Sequence, residues 1–266
     1  MKVITLLNEK GGVGKTTLAT HIAAGLAIRG WRVVLIDADP QGQASALMGL
    51  PKEAGFYNLL VREAEFQDVV RFVKPDTYSA QPVEGELYIL PGNIETRVIP
   101  HVTPNPFIIR QRLEELDGWA DVVVFDTSPT PSIIHTAIYM ATDAVLLPTI
   151  PGFLGMDGIA HSIMHQENVQ AMRQENALGD VTRLGIIPTM YRSNTNAHDV
   201  ALQQLVKEFK RNLWPPMPLR TVFEQAALVG QLLYKYAPQD ETTVQVLGAL
   251  VDRVELGMGL KHAELT

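Results

Sequence analysis

The chain has 266 residues, is 46% apolar and carries a formal net charge of −7, a length for which one domain spanning 1–266 is the expectation. It has no cysteine, which excludes disulfides, thiolate metal sites, iron–sulfur clusters and cysteine nucleophiles. Its acidity argues against a constitutive, tight nucleic-acid binder, although a local basic patch can act against the net sign.

The first element is a short apolar run, Val3-Ile4-Thr5-Leu6-Leu7, read as a strand. It leads directly into Asn8-Glu9-Lys10-Gly11-Gly12-Val13-Gly14-Lys15-Thr16-Thr17. A charged-then-apolar leader pattern is absent ahead of it, so a cytoplasmic protein is expected. Apolar residues at helical spacing over 18–29 stop at Gly30. The next strand, Val33-Val34-Leu35-Ile36, runs into Asp37-Ala38-Asp39-Pro40-Gln41-Gly42.

Over 51–105 the pattern predicts short helices near 56–60 and 66–73, a strand at 87–90 closed by Pro91-Gly92, and a proline-rich loop over 100–106. Helices are expected over 107–117, 132–141, 156–174, 198–213 and 241–256. Strands are expected at 122–125, ending in Asp126, and at 145–147 and 184–187. Each strand is short, apolar and unalternating, as strands buried on both faces are. The alternation implies an α/β fold, a doubly wound, mostly parallel sheet with helices on both faces. No run approaches the ~20 apolar residues of a membrane span.

Strand, glycine loop, then helix is the setting of a phosphate-binding loop. Glycines let successive N–H groups turn toward one anion, and the helix N-terminus adds its dipole. Lys15 can reach the phosphates, and the Thr16 hydroxyl can ligate Mg²⁺. Asp126 ends a buried strand, as the second metal-site residue of such folds does, and Asp37 or Asp39 could orient the attacking water. Taken singly, a strand-end Asp is as readily a helix cap. The ordinary loop has Gly six residues before its Lys; here that position is Glu9, with a second lysine, Lys10, beside it. By spacing alone Lys10 is either a solvated loop residue or a cation that reaches nucleotide on a second subunit.

Lys10-Gly11-Gly12-Val13-Gly14-Lys15-Thr16-Thr17, Asp37-Ala38-Asp39-Pro40-Gln41-Gly42 and Asp126-Thr127-Ser128-Pro129 together resemble the deviant Walker ATPases of the ParA/MinD superfamily. The resemblance spans essentially the whole chain and is nearest to the short, Soj-like ParA branch. It implies a P-loop NTPase fold, ATP and Mg²⁺ as ligands, and slow, partner-stimulated ATP hydrolysis. It makes Lys10 the signature lysine of an ATP-sandwich homodimer, Lys15 and Thr16 the phosphate and Mg²⁺ residues, Asp39 the water-orienting acid, Asp37 a neighbour of the metal and Asp126 the Walker-B group. Pro188 and Met190, in Gly185-Ile186-Ile187-Pro188-Thr189-Met190-Tyr191, resemble the segment flanking the adenine. It further implies nonspecific DNA binding by the ATP dimer, association with the nucleoid, and a ParB-like activator. Such proteins move plasmids, chromosomes or other cargo.

This chain departs from the pattern at Ser128, where the family commonly has a proline, and at Gln239-Asp240-Glu241, where it often has a basic cluster. Candidate DNA contacts are Arg220 together with Lys207, Lys210 and Arg211. The last three are spaced i, i+3, i+4 on one expected helical face, opposite Leu202, Leu205, Val206 and Phe209. A membrane-cycling relative of the MinD kind needs a basic amphipathic tail, and residues 257–266 are too short and too weakly basic for one, so no membrane partner is expected. His161 and His165 are spaced i, i+4, as paired metal ligands can be, but no Glu stands beside the first, so a zinc site is not expected. Trp31, Trp119 and Trp214 are expected at element ends, and Met156, Met164 and Met172 in the core.

Overall fold

The structure, a computed structural model, describes residues 1–262. Seven strands form one sheet: β1 (Lys2–Leu6), β2 (Arg32–Ala38), β3 (Arg71–Phe72), β4 (Glu86–Leu90), β5 (Val122–Thr127), β6 (Ala144–Thr149) and β7 (Thr182–Pro188). Their order is β3-β4-β2-β5-β1-β6-β7, with every pair parallel except β3 against β4. The expected doubly wound, mostly parallel sheet is what forms. The antiparallel strand sits at the edge and is only two residues long, which limits its exposed backbone.

The helices are α1 (Lys15–Ile28), α2 (Gln43–Leu47), α3 (Gly55–Val61), α4 (Phe66–Val69), α5 (Pro75–Tyr78), α6 (Ile99–Val102), α7 (Ile108–Leu113), α8 (Ile133–Ala141), α9 (Phe153–Glu175), α10 (Asn196–Phe209), α11 (Val222–Leu228), α12 (Leu233–Tyr236) and α13 (Glu241–Met258). Successive strand residues alternate between two packed faces. Val33, Leu35, Val122 and Val124 pack under α1 and α13, whereas Val34, Ile36, Val123 and Phe125 pack under α3, α7 and α8. This is why the strands read as unbroken apolar runs. A third cluster joins β6 and β7 to α8, α9 and α10. Asp37 and Asp126 are register partners on adjacent strands, and Leu6 of β1 faces Asp126 from the other side. Three strand ends therefore open onto one edge, where ligands of such sheets bind.

Several expectations need correction. The helix expected over 66–73 stops at Val69, because Arg71–Phe72 pairs with β4. The loop expected over 100–106 begins inside α6, where Pro100 sits in the first turn, a position that tolerates its missing N–H. The helix expected over 107–117 ends at Leu113 and tightens into a 3₁₀ turn, Glu114–Leu116. Most important, α10 ends at Phe209, and Lys210 takes a left-handed φ of 47°. The chain must turn there to place Trp214 beside β7, where its backbone N–H donates to the Ile186 carbonyl at 2.9 Å. Lys210 and Arg211 therefore do not share a helical face with Lys207, and Val206 is exposed rather than buried. Met164 and Met172 are exposed as well, leaving only Met156 of the three packed against the core. The tryptophans do sit at element ends. The expected tail falls partly outside the described residues, at 263–266; α13 ends at Met258, with Gly259 left-handed after it.

His21 links the helix that follows the phosphate loop to the C-terminal part of the chain. Its Nδ1 donates to the Thr17 carbonyl at 2.7 Å, and its Nε2 accepts the Leu233 N–H at 3.1 Å. Both roles require the neutral ring. Burial lowers its pKa to about 4, against the Thr17 carbonyl, which favours the charged form. His135 in α8 is likewise held to about 4 by burial, opposed first by the Ser128 carbonyl. A depressed histidine stabilises the fold fully above its unfolded pKa near 6.5, and that stability is lost as pH falls toward 4. In an NMR titration of the imidazole protons, His21 and His135 should stay neutral down to about pH 5. A midpoint near 6.5 for either would contradict its buried, neutral role.

Candidate nucleotide site

The loop between β1 and α1 is held by side chains at its two ends. Asn8 is buried; its Nδ2 donates to the Pro148 carbonyl at 2.7 Å, and its Oδ1 accepts the Lys10 N–H at 2.8 Å. The Thr127 hydroxyl donates to the Leu6 carbonyl at 2.7 Å, which ties the end of β5 to the end of β1. Thr189, just past β7, shares its hydroxyl proton between the carbonyls of Val13 at 2.8 Å and Thr149 at 3.1 Å. Gly12 and Gly14 adopt φ of 72° and 83°, conformations in which a side chain is strained. No side chain caps α1, so its first N–H groups stay available to an anion. Lys15 folds back, its Nζ donating to the carbonyls of Asn8 at 2.9 Å and Lys10 at 3.2 Å. Burial lowers the Lys15 pKa, opposed by Asp126 and then Asp39.

Residues 11–17 line one wall of a cavity of about 790 Å³. Asp39, Gln41 and Gln43 line a second wall, Ser128, Pro129 and Thr130 a third, and Met190 closes one side. The three strand-end carboxylates divide into different roles. Asp126 is fully buried, and both its oxygens lack a hydrogen-bond partner among the described residues. Burial raises its pKa well above the usual carboxylate value, reinforced by Asp37; the nearby Thr16 hydroxyl opposes the rise but does not meet hydrogen-bond geometry. An unpaired buried carboxylate is what a cation would satisfy. Asp37 is also fully buried, but its Oδ2 accepts from Ala44 N at 3.1 Å and Ser45 N at 3.3 Å, in the first turn of α2. Burial raises its pKa to about 7, while the bond from Ser45 N lowers it. Neither Asp37 nor Asp126 is among the residues that line the cavity, and through these amides Asp37 also anchors the Asp39 loop. Asp39 does line the cavity, and its Oδ1 accepts the Gln41 N–H at 2.8 Å.

Lys10 behaves unlike its neighbours. Gly11 through Thr17 all line the cavity, and Lys10 does not. It packs against α9, where a Cβ on Gly158 would come within 3.3 Å of the Lys10 Cβ. Glu9, the residue in place of the ordinary glycine, turns its carboxylate toward the same helix. Its Oε1 lies 3.3 Å from His165 Nδ1 and its Oε2 lies 4.0 Å from His161 Nδ1. The two histidines thus flank a carboxylate, and no metal-binding group of three or more ligands forms among the described residues.

Comparison with known proteins agrees with this geometry. A family profile described as an AAA domain matches residues 1–178. The chain belongs to the ParA/MinD-type ATPase family. It is 30% identical over 237 residues to the chromosome-partitioning ATPase Soj of Thermus thermophilus, covering 88% of each chain. It is 26% identical over 242 residues to the sporulation initiation inhibitor protein Soj of Bacillus subtilis, covering 90% of this chain and 92% of the other. Among solved structures, apo McdA from Cyanothece superposes with a TM-score of 0.78 at 20% identity, covering 96% of this chain and 99% of that one. The septum site-determining protein MinD of Pyrococcus horikoshii, solved with Mg-ADP, superposes with a TM-score of 0.73 at 20% identity and 99% coverage of both.

The remaining expected residues of this ParA/MinD-type chain are dispersed. Met190 lines the cavity, whereas Pro188, the last residue of β7, is buried behind the wall. Lys207, Lys210, Arg211 and Arg220 are all exposed. Between Arg211 and Arg220 the chain runs beside β7 and beyond it: Met217 N donates to the Pro188 carbonyl, and Leu219 N to the Tyr191 carbonyl. That segment separates Arg220 from Lys210, so the basic residues string along the sheet edge. Thr96, Arg97 and His101 also line the cavity, and no motif pointed to them.

Asp126→Asn tests the charge argument. A carboxylate whose folded pKa is raised destabilises the metal-free fold as pH climbs above about 4. The variant should therefore melt about 5 °C higher than the parent at pH 8 in EDTA, with the gap closing in acid. It should also lose the Mg²⁺-dependent part of nucleotide-induced stabilisation. A lower melting temperature in EDTA would refute the unpaired-anion reading.

Proposed function

We propose that this protein is an ATPase whose ATP-bound form is a homodimer, cycling on DNA to partition a plasmid or chromosome. Position supports the nucleotide assignment. The glycine loop and α1 N-terminus cradle the phosphates, Lys15 leaves its two carbonyls to meet them, and Met190 bounds the base side. Thr16 and Asp126 would hold Mg²⁺, which draws charge from the phosphates when bound. Asp39 is the cavity-lining acid that can orient water, with its loop anchored by Asp37. Titratable groups of both signs beside an open cavity fit hydrolysis better than passive storage of a ligand.

The single observation that carries the dimer reading is the placement of Lys10 outside its own cleft, on a loop whose next seven residues all line that cleft. A lysine held there by α9 is available to a nucleotide on a second copy. Charge supplied in trans makes hydrolysis depend on dimerisation. Lys10→Ala should keep monomer nucleotide affinity within about threefold yet lose the ATP-dependent dimer and most partner-stimulated turnover, on the order of 100-fold. Light scattering and phosphate release measure the two. A variant that still dimerises and turns over normally would refute the role in trans.

The track is DNA in this reading, and the activator a ParB-like protein, with a cytoplasmic, nucleoid-associated cycle. Exposed Lys207, Lys210, Arg211 and Arg220 along the β7 edge are the proposed contacts, doubled in a dimer. Changing Lys207, Lys210 and Arg220 to Glu should weaken ATP-dependent DNA binding at least tenfold and flatten its salt dependence by about one log unit per lost contact. Undiminished binding would place the track elsewhere. The dispersal of these residues on an acidic chain favours a second reading, in which the same dimer positions a non-DNA cargo. A membrane-cycling mode finds less support: no described helix is long and apolar enough to cross a membrane. α13 is also docked on α1, where Arg29 pairs with Asp252 at 2.6 Å and with Glu255.

A further inference from the structure

One wall of the cleft has no role in the account above. After β4, the turn at Pro91–Asn93 passes close beneath the Asp39 loop. A Cβ on Gly92 would lie 2.2 Å from the Asp37 carbonyl oxygen and 3.2 Å from that of Asp39, and one on Gly42 would lie 2.4 Å from the Gly92 carbonyl. Asn93 then starts a 3₁₀ turn, Ile94–Val98, its Oδ1 accepting the Glu95 N–H at 3.0 Å. That turn and α6 carry Thr96, Arg97 and His101 onto the cavity. Thr96 is only 3% exposed, and its hydroxyl has no hydrogen-bond partner among the described residues. Arg97 makes no ion pair or hydrogen bond there either; Glu95, the nearest acid in sequence, faces Asn93. Consecutive residues thus bring to the cavity wall an unpaired arginine and an unpaired buried hydroxyl, both of which are anion-binding groups in chemical terms. The guanidinium fork matches two phosphoryl oxygens, and the hydroxyl can donate to a third.

We propose that Arg97, with Thr96 beside it, reads the terminal phosphate of the nucleoside triphosphate bound to the same chain. The assignment rests on the nucleotide reading above. The terminal phosphate is favoured over the others because this wall is stacked against the Asp39 loop, where hydrolysis is placed, rather than beside Met190. Arg97 then distinguishes triphosphate from diphosphate. It does so in cis, independently of the lysine offered in trans.

The test is equilibrium binding with Mg²⁺ of a fluorescent non-hydrolysable ATP analogue and of the matching ADP derivative. It compares the parent, Arg97→Ala, Arg97→Lys and Lys15→Ala at concentrations where the protein is monomeric. Arg97→Ala should weaken the triphosphate about tenfold and leave the diphosphate within about twofold. Arg97→Lys should recover part of the loss, because it restores charge without the fork. ADP affinity doubles as the folding control. An unchanged triphosphate-to-diphosphate ratio, whether both ligands weaken or neither does, overturns the assignment to Arg97. If the parent binds neither nucleotide, or Lys15→Ala binds both as well as the parent, the nucleotide reading itself falls.

Discussion

The sheet edge that holds the site buries more carboxyl groups than its own lysine can pair. Asp37 and Asp126 lie side by side on β2 and β5, both fully buried, with Lys15 the one cation among them. Burying a carboxylate without partners is costly. The fold resolves the cost for one of the two by turning Asp37 onto the amides of α2. For Asp126 it leaves both oxygens bare. Lys15 does not satisfy them either, since its ammonium is spent on two carbonyls of its own loop. A metal–polyanion pair would complete these groups. An anion would draw Lys15 and the helix N-terminus, and a cation would pair with Asp126.

That constraint explains the surrounding architecture. Parallel strands bring three loops to one edge, and close backbone contacts then remove slack between them. Glycine at 92 and at 42 lets the turn after β4 press on the Asp39 loop, so those two walls share one geometry. On the opposite side, α9 rests on Asn8 and Lys10 through Gly158, where a Cβ would stand 2.7 Å from Asn8 Oδ1. The loop is thus rigid at its base yet unsaturated at its tip, as preorganised electrostatic sites are.

Much of this was legible in the chain itself, for identifiable reasons. The six parallel strands are buried on both faces, which leaves a plain apolar signature, and α1, α8, α9 and α13 are long enough to show helical spacing. The cradle residues Gly11 through Thr17 were legible because glycine and lysine spacing there follows directly from the shape of a phosphate. What stayed hidden depends on contacts distant in sequence. α2, α5, α11 and α12 are too short for a periodicity to accumulate. The break at Lys210 is imposed by the pairing of Trp214 with Ile186, which no local preference announces. That Asp37 also holds the first turn of a short helix could not be read before that helix was seen. Arg97 and Thr96 reach the cleft through a 3₁₀ turn that carries no motif.

Thr189 gives the site a mechanical property. One hydroxyl holds both the phosphate loop, at Val13, and the end of β6, at Thr149, and the next residue is Met190, itself in a left-handed conformation with φ of 52°. The loop at Val13, the end of β6 and the Met190 segment are consequently tied together at one residue. Met190 therefore cannot shift without loading the backbone at Val13, so two walls of the cavity are mechanically joined.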